Sequence, residues 1–377
     1  MANHKNQNTF EPGSFFVFRT PLLPRTQLDF LADSDNVPHA TYYLELFRQY
    51  QNPDLQQALY LASPDLFHQL HRWEKLIATE NHSKKIRRER NELNRKFLMF
   101  MLRAAHRCTP FGTFAAVAVG DFKLQRESSL DLAQLASPSK SSRLDMVYLL
   151  RLRFALEANP AIQAQLRFFP NNTLYKNGED MLCSYFDEEA LQHIASSKSF
   201  NETAWDLFTA CREANGMSIN QMIDFVIDPE LTRADCQEFI HYLIDHQLLV
   251  SELYPHLNGD EYLEQIYQKL TPLNHASSYL HFIKSIRERL QTIDATPQAS
   301  ESLAQYQELL HFLTEGEEAT QLKLKNEQTK EKELVQVDAF KSLGTQELSK
   351  AVVRDIVRKI EHLYQLPTPK QPPRQDL

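Results

Sequence analysis

The run Phe15-Phe16-Val17-Phe18-Arg19-Thr20 is apolar up to an arginine near its end and is cut by Pro21, which predicts a strand over residues 15–20. An arginine at a strand end is either an ion-pair partner or a site residue. Apolar positions then recur at helical spacing over 41–50, 53–62 and 64–78, with Ser63 as cap and Pro64 as first residue of the third stretch. Residues 84–107 read as one long helix. Leu93, Phe97, Phe100 and Ala104 form its apolar face, and Ser83 is placed to cap its start. Thr109-Pro110 ends it, because the residue before a proline avoids the helical region. Arg107 falls at the margin of the apolar face, near Phe100, which points it inward. A strand over 113–120, a polar connection at 140–143 and an amphipathic helix over 146–157 follow. Asp145 sits at the start of that helix, where an acid suits the helix dipole.

Residues 170–255 form a compositional module. The stretches 173–176 and 181–186 flank Asn177-Gly178-Glu179-Asp180, a hairpin signal. Helical stretches at 203–214, 219–227 and 233–246 have Asn201 or Glu202, Ser218 and Thr232 as caps, and 247–253 reads as a strand. Small strands around three helices look like a winged helix-turn-helix. Beyond it come helices at 261–270, 277–292 and 299–313, a charged loop at 315–333, a short strand at 334–338, a helix at 349–364 and a proline-rich tail from Pro367. The expected class is α+β: helix-rich, with small mixed sheets and an embedded winged-helix-like module.

Composition narrows this picture. A chain of 377 residues with 42% apolar residues has enough core for two or three domains without disulfide or metal staples. Four widely spaced cysteines with no CxxC pair argue against zinc and disulfide frameworks, so no metal is expected. No apolar run reaches the ~18 residues of a membrane span, and the N-terminus lacks a signal-peptide pattern. The expectation is a soluble, reduced, cytoplasmic protein.

The net charge of -8 conceals an asymmetry. Lys84, Lys85, Arg87, Arg88, Arg90, Arg95, Lys96, Arg103 and Arg107 face only Glu89 and Glu92, so the long helix carries +7 and the remainder -15. Such a stripe is either a solvated helix face or the footprint of an anionic polymer. The module at 219–246 is the reverse. It holds Asp224, Asp228, Glu230, Asp235, Glu238 and Asp245, with Arg233 as its only Lys or Arg, which argues against DNA reading by a winged helix. There is no P-loop, dinucleotide fingerprint, HExxH or G-x-S-x-G motif.

Two segments carry more specific information. They are Phe16-Val17-Phe18-Arg19-Thr20-Pro21-Leu22-Leu23-Pro24 and Arg103-Ala104-Ala105-His106-Arg107-Cys108-Thr109-Pro110-Phe111-Gly112-Thr113-Phe114-Ala115. Together they resemble the N-terminal region of the lantibiotic dehydratases, the class I lanthipeptide dehydratases. That family carries an F-x-x-R-x-P-x-x-P-like strand and an R-x-x-x-R-x-T-P-F-G-x-F-A signature. Weaker similarity lies at 52–66, 143–149 and 334–338.

The resemblance implies a module that moves glutamate from glutamyl-tRNA onto Ser and Thr of a ribosomally made precursor peptide, ahead of dehydration. Glutamyl-tRNA is then a co-substrate and no bound cofactor is implied, in keeping with the missing P-loop. By motif, Arg19, Arg103, Arg107 and Thr109 match positions needed for glutamylation, and Asp145 and Asp338 match two acidic positions that the resemblance adds to the catalytic set. Each has a plainer reading: a structural ion pair for Arg19 and Asp145, a turn residue for Thr109. The resemblance assigns the basic helix, through Lys84, Lys85, Arg87, Arg88, Arg95 and Lys96, to tRNA phosphates. The winged-helix-like module is assigned to leader-peptide recognition by strand addition at 181–186, with Phe239, Tyr242 and Leu243 in the groove; at helical spacing such residues also serve as core. The implied division is 1–165 for the N-terminal part of the glutamylation module, 166–257 for leader recognition and 258–377 for a helical continuation. Family members run on well past this length. The chain is therefore expected to be a fragment or one piece of a split enzyme, without elimination activity. Implied partners are the precursor peptide, the remaining dehydratase modules or a cyclase, and a homodimer is left open. The competing reading is a module that binds the precursor without chemistry.

Overall fold

The computed structural model describes residues 10–31, 39–73, 83–123, 139–187, 192–256, 258–320, 334–341 and 347–364. In chain order, β1 (Phe15–Pro21) leads through a 3-10 turn (Arg25–Leu31) to α1 (His39–Tyr50), α2 (Pro53–Ala62), α3 (Pro64–His71) and the long α4 (Lys84–His106). Then come β2 (Ala115–Lys123), β3 (Ser139–Leu144), α5 (Met146–Glu157) and the one-turn α6 (Pro160–Gln163). β4 (Phe168–Pro170), β5 (Tyr175–Asn177), β6 (Asp180–Asp187) and β7 (Gln192–Ser199) precede α7 (Glu202–Glu213), α8 (Ile219–Val226), α9 (Arg233–Asp245) and β8 (Leu249–Ser251). The last elements are α10 (Tyr262–Leu270), α11 (Ser277–Ala295), α12 (Ala299–Thr320), β9 (Val335–Phe340), β10 (Glu347–Ser349) and α13 (Lys350–Tyr364). The class is α+β, helix-rich with small mixed sheets, as expected from the sequence.

The chain divides into two compact units: Met1–Ser141 with Asp294–Leu303 and Val337–Leu377, and Ser142–Ile293 with Ala304–Gln336. This division cuts the chain at places other than 165 and 257.

The first unit is built on a mixed sheet in which β1 runs antiparallel to β2, while β9 and β10 run parallel to β2. Strand alternation sorts its faces. Phe16, Phe18 and Thr20 pair with Gly120, Ala118 and Ala116 on the packed face. Gly120 leaves room there for the Phe16 ring, which an added Cβ would displace. On the opposite, open face Val17 pairs with Val119 and Arg19 with Val117, and Val117 pairs with Phe340. α4 is amphipathic as its periodicity predicts, with Leu93, Phe97, Met101, Ala104 and Ala105 buried. Phe97 meets the rings of Tyr50 and Trp73 at 5.7 and 5.9 Å between centroids. Ser83 caps the helix by accepting from the Ile86 N–H.

The second unit holds the module around the hairpin. β5 and β6 are joined at Gly178-Glu179, with Asn177 paired to Asp180 and Gly178 in the left-handed region at φ +62°. The caps of the three helices are those the sequence suggests. Asn201 accepts from the Ala204 N–H, and Ser218 with Gln221 and Thr232 with Asp235 form capping boxes.

Four expectations are corrected. The polar stretch 140–143 is part of β3 rather than a connection. Its polar side chains find partners: Lys140 Nζ donates to Ser302 Oγ at 2.7 Å, and Ser142 Oγ lies 2.6 Å from the Tyr306 hydroxyl. Residues 315–320 continue α12 rather than starting a loop. The strand after α9 is confined to Leu249–Ser251. A polar strand not expected from periodicity, β7, pairs with β6 along its whole length. Residues 74–78, 321–333 and the tail from Pro367 lie outside the described residues.

Candidate functional site

The two segments singled out in the sequence are joined in the first unit by backbone hydrogen bonds. Leu22 N–H donates to the Phe114 carbonyl at 2.9 Å, and Leu23 N–H donates to the Ala104 carbonyl at 2.9 Å. α4 ends at Arg107, whose backbone turns extended (φ -104°, ψ 119°) while its N–H still bonds the Arg103 carbonyl at 3.0 Å. The turn that follows is closed by a Phe114 N–H bond to the Phe111 carbonyl at 3.1 Å. Gly112 holds φ +55° there with nothing within 4 Å of an added Cβ, so backbone conformation rather than space demands glycine. Phe114 is fully buried and stacks between Phe100 and Phe111. Chain order thus places Arg103, Arg107 and Thr109 around one pinned turn, beside the end of β1 that carries Arg19.

Arg103 is half-buried, and its guanidinium lies 4.2 Å from the Phe111 ring centroid. Its Nε is buried without a hydrogen-bond partner, and so are the hydroxyls of Thr20 and Thr113. Three orphaned polar atoms in or beside the two motifs mark a junction with hydrogen-bonding capacity left over. Arg107 and Thr109 are exposed. The inward position expected for Arg107 is therefore corrected: the helix ends at this residue, so the face extrapolated from α4 no longer applies.

Arg19 lies on the open sheet face. Asp338, two residues before Phe340 on β9, falls on that face by alternation. Asp145 belongs to the second unit. Its carboxylate accepts from the Val147 N–H at 2.9 Å and caps α5, and its own N–H bonds the Leu334 carbonyl at 2.9 Å. The plainer structural reading of Asp145 thus has a concrete form, a helix cap rather than an ion pair.

Along α4, Lys84, Lys85, Arg87, Arg88 and Arg95 are exposed. Lys96 is tied to Glu92 at 3.0 Å, and that contact holds the Glu92 carboxyl below its ordinary range. The stripe is therefore presented outward while the opposite side of the helix is core.

In the second unit β6 is the central strand of β5-β6-β7. Beyond the short β5, side chains occupy its remaining edge. The Thr173 hydroxyl accepts from the Ser184 N–H, and the Gln247 amide pairs with both backbone groups of Phe186. The strand at 181–186 is therefore not open to an added strand. Among the described residues the unpaired long edge belongs to β7, which sequence periodicity missed because Gln192–Ser199 is mostly polar. On α9, Tyr242 is 45% exposed and Leu243 is 2% exposed. Phe239 is half-buried. Tyr242 stacks on His246 at 4.1 Å and lies under the Lys198 ammonium of β7. A groove of about 490 Å³ runs here, lined by Tyr185, Ser196, Lys198, Asp245 and His246.

The profile of the family described as "Lantibiotic dehydratase, N terminus" matches residues 51–376. The chain belongs to the lantibiotic dehydratase family. The first motif, at residues 16–24, precedes the matched stretch. Over 270 residues the chain is 22% identical to the epidermin biosynthesis protein EpiB of Staphylococcus epidermidis, covering 71% of this chain and 26% of EpiB. Its fold is similar to the tRNA-dependent lantibiotic dehydratase MibB from Microbispora sp. 107891, with a TM-score of 0.66, 20% identity, and 96% of this chain on 32% of that one. It is also similar to the glutamylation domain TbtB from thiomuracin biosynthesis, with a TM-score of 0.58, 15% identity, and 89% of this chain on 37% of that one. The chain thus spans about a quarter to somewhat over a third of the length of these relatives. No helix among the described residues is long and apolar enough to cross a membrane.

Proposed function

We propose that this chain forms part of a tRNA-dependent glutamyl transferase acting on a ribosomal precursor peptide. The observation that supports this most is the junction of the two motifs, where Arg103, Arg107 and Thr109 gather at a turn with orphaned polar atoms beside it. The reaction asks little else of the protein. A Ser or Thr hydroxyl attacks the acyl carbon of glutamyl-tRNA, a new ester forms, the ester to the ribose breaks, and the hydroxyl proton passes to the leaving ribose oxygen. The acyl group arrives activated, so no nucleotide-binding loop is needed. Arg103 and Arg107 provide forked donors for a tRNA-terminal phosphate or the glutamyl carboxylate, and Thr109 orients that group through its hydroxyl. Arg19 and Asp338, on one sheet face, are the further members, with Asp145 shaping the start of α5. Glutamyl-tRNA is cytoplasmic, so the reaction belongs there, with glutamyl-tRNA in place of a bound cofactor.

In this reading the outward stripe of α4 holds tRNA phosphates. Replacing Lys84, Lys85 and Arg88 by Glu is expected to weaken tRNA binding and flatten the log–log salt dependence by about 0.7–0.9 per lost phosphate contact. Filter binding between low and moderate salt checks this; an unchanged slope removes the stripe from the interface.

The module of β5–β7 and α7–α9 is proposed as the winged-helix-like element that captures the leader peptide, which adds as a strand to the open edge of β7 and lays a side chain against Tyr242. Tyr242→Ala is expected to weaken peptide binding about 5- to 30-fold, the range of an interface aromatic, with stability unchanged. Leu243→Ala, a core truncation, is expected instead to lower stability by about 2–5 kcal/mol. Fluorescence polarisation with a labelled leader, paired with thermal melts, separates the two. A second reading, peptide capture without chemistry, is favoured by this open edge.

A further inference from the structure

In the second unit, α5 carries Arg153 and Glu157 one turn apart into the interior. Arg153 is 2% exposed. Its guanidinium carbon lies 3.9 Å from the Phe154 ring centroid and 5.1 Å from that of Tyr254. Nε is 3.5 Å from Glu157 Oε1, an ion-pair separation, and both Nε and Nη1 are buried without a hydrogen-bond partner. Glu157 instead accepts a short bond from the Ser251 hydroxyl, at 2.5 Å. Burial pushes the Glu157 carboxyl up, against the opposing pull of the arginine and of Ser251. The arginine charge is thus incompletely balanced. Leaving a buried N–H unpaired costs about 1–3 kcal/mol, more when the group is charged.

These groups line a cavity of about 450 Å³, within the range of small-molecule sites. Its wall is also lined by apolar Phe168 and Leu249, and by the exposed carboxylate of Asp245. The lining therefore offers a buried guanidinium with two nitrogens lacking hydrogen bonds, an apolar wall and a carboxylate. A polyanion would be repelled by Glu157 and Asp245. A molecule carrying one carboxylate and one ammonium matches both signs.

We propose that this cavity is a binding site for a free α-amino acid, its carboxylate on the Arg153 guanidinium and its ammonium toward Asp245. The site is separate from the motif junction and does not depend on the transfer reaction.

Thermal shift and titration calorimetry on the full chain, with free L-leucine, L-phenylalanine and L-glutamate, test it. Each is compared with its carboxamide and its N-acetyl derivative. At least one free amino acid is expected to give a saturable rise in melting temperature. Its amide, which offers Arg153 a neutral acceptor in place of a charged, two-oxygen one, is expected to bind at least about 10-fold more weakly. Asp245→Asn, at an exposed position, is expected to fold as the parent does and bind about 2- to 5-fold more weakly, the worth of an exposed ion pair. Arg153→Met removes a buried cation, so its folding is checked first; a folded form is expected not to bind. No saturable shift with any of the three, amides binding as well as acids, binding unaltered in Asp245→Asn, or a folded Arg153→Met that still binds overturns the proposal.

Discussion

Arg107→Ala is expected to lower glutamyl transfer by about 100-fold or more, the scale of losing a charged donor aimed at a reacting group. The assay supplies glutamyl-tRNA, a precursor peptide and the remaining dehydratase polypeptide, because this chain spans 32% of the MibB chain. The fold is expected to be indifferent. Arg107 is exposed, and the bond that ends α4 uses its backbone N–H, which alanine retains. Exposed substitutions of this kind stay within about 0.5 kcal/mol. Arg107→Lys keeps the charge but loses the planar fork, so it is expected to recover only a small part of the activity. Initial rates alongside denaturant midpoints make the measurement. Retained activity in Arg107→Ala removes this residue from the site, whatever the stability shows.

Phe114→Ala is expected to produce the opposite signature. The side chain is fully buried between Phe100 and Phe111, and its truncation is expected to cost about 3–5 kcal/mol. Typical domains hold only about 5–15 kcal/mol in reserve, so the first unit should lose much of its margin. The ring also anchors the residue whose carbonyl receives the Leu22 N–H. Transfer is therefore expected to fall through loss of the junction, even at temperatures where the rest of the chain stays folded. Urea unfolding checks the stability term. A cost below about 1 kcal/mol would mean that the turn is held by its backbone bonds alone.

Much of the fold was legible because local signals and tertiary packing agree. The apolar stripe of α4, the capping residues Ser83, Ser218 and Thr232, and the turn at Gly178 each fix a backbone geometry by themselves. The polar strands were not legible. β3 and β7 owe their extended form to pairing rather than to an apolar alternation: Lys140 of β3 reaches the distant Ser302, and β7 pairs with β6, the strand before it. Leu243 and Tyr242 are adjacent on α9, yet one is core and the other faces the groove, a distinction that spacing alone did not make. Arg107 was misplaced for a related reason, since extrapolating a helical face past the helix end assigns a direction the backbone no longer has. The candidate site residues rest on motif alone. The structure adds that the two motifs are hydrogen-bonded neighbours, and that Asp145 has capping work of its own. The open edge of β7 and the Arg153 cavity had no sequence signal, because both depend on what fails to be paired in three dimensions.

The central claim is tested most directly by following glutamate from tRNA to peptide. The chain is incubated with the rest of the dehydratase, isotopically labelled glutamyl-tRNA and a Ser/Thr-containing precursor, with elimination blocked, and the peptide is read by mass spectrometry. The expected result is labelled glutamate esterified to Ser or Thr, absent when this chain is omitted and absent with Arg107→Ala. A precursor that binds this chain yet gains no labelled glutamate contradicts the transfer reading and leaves peptide capture as the function.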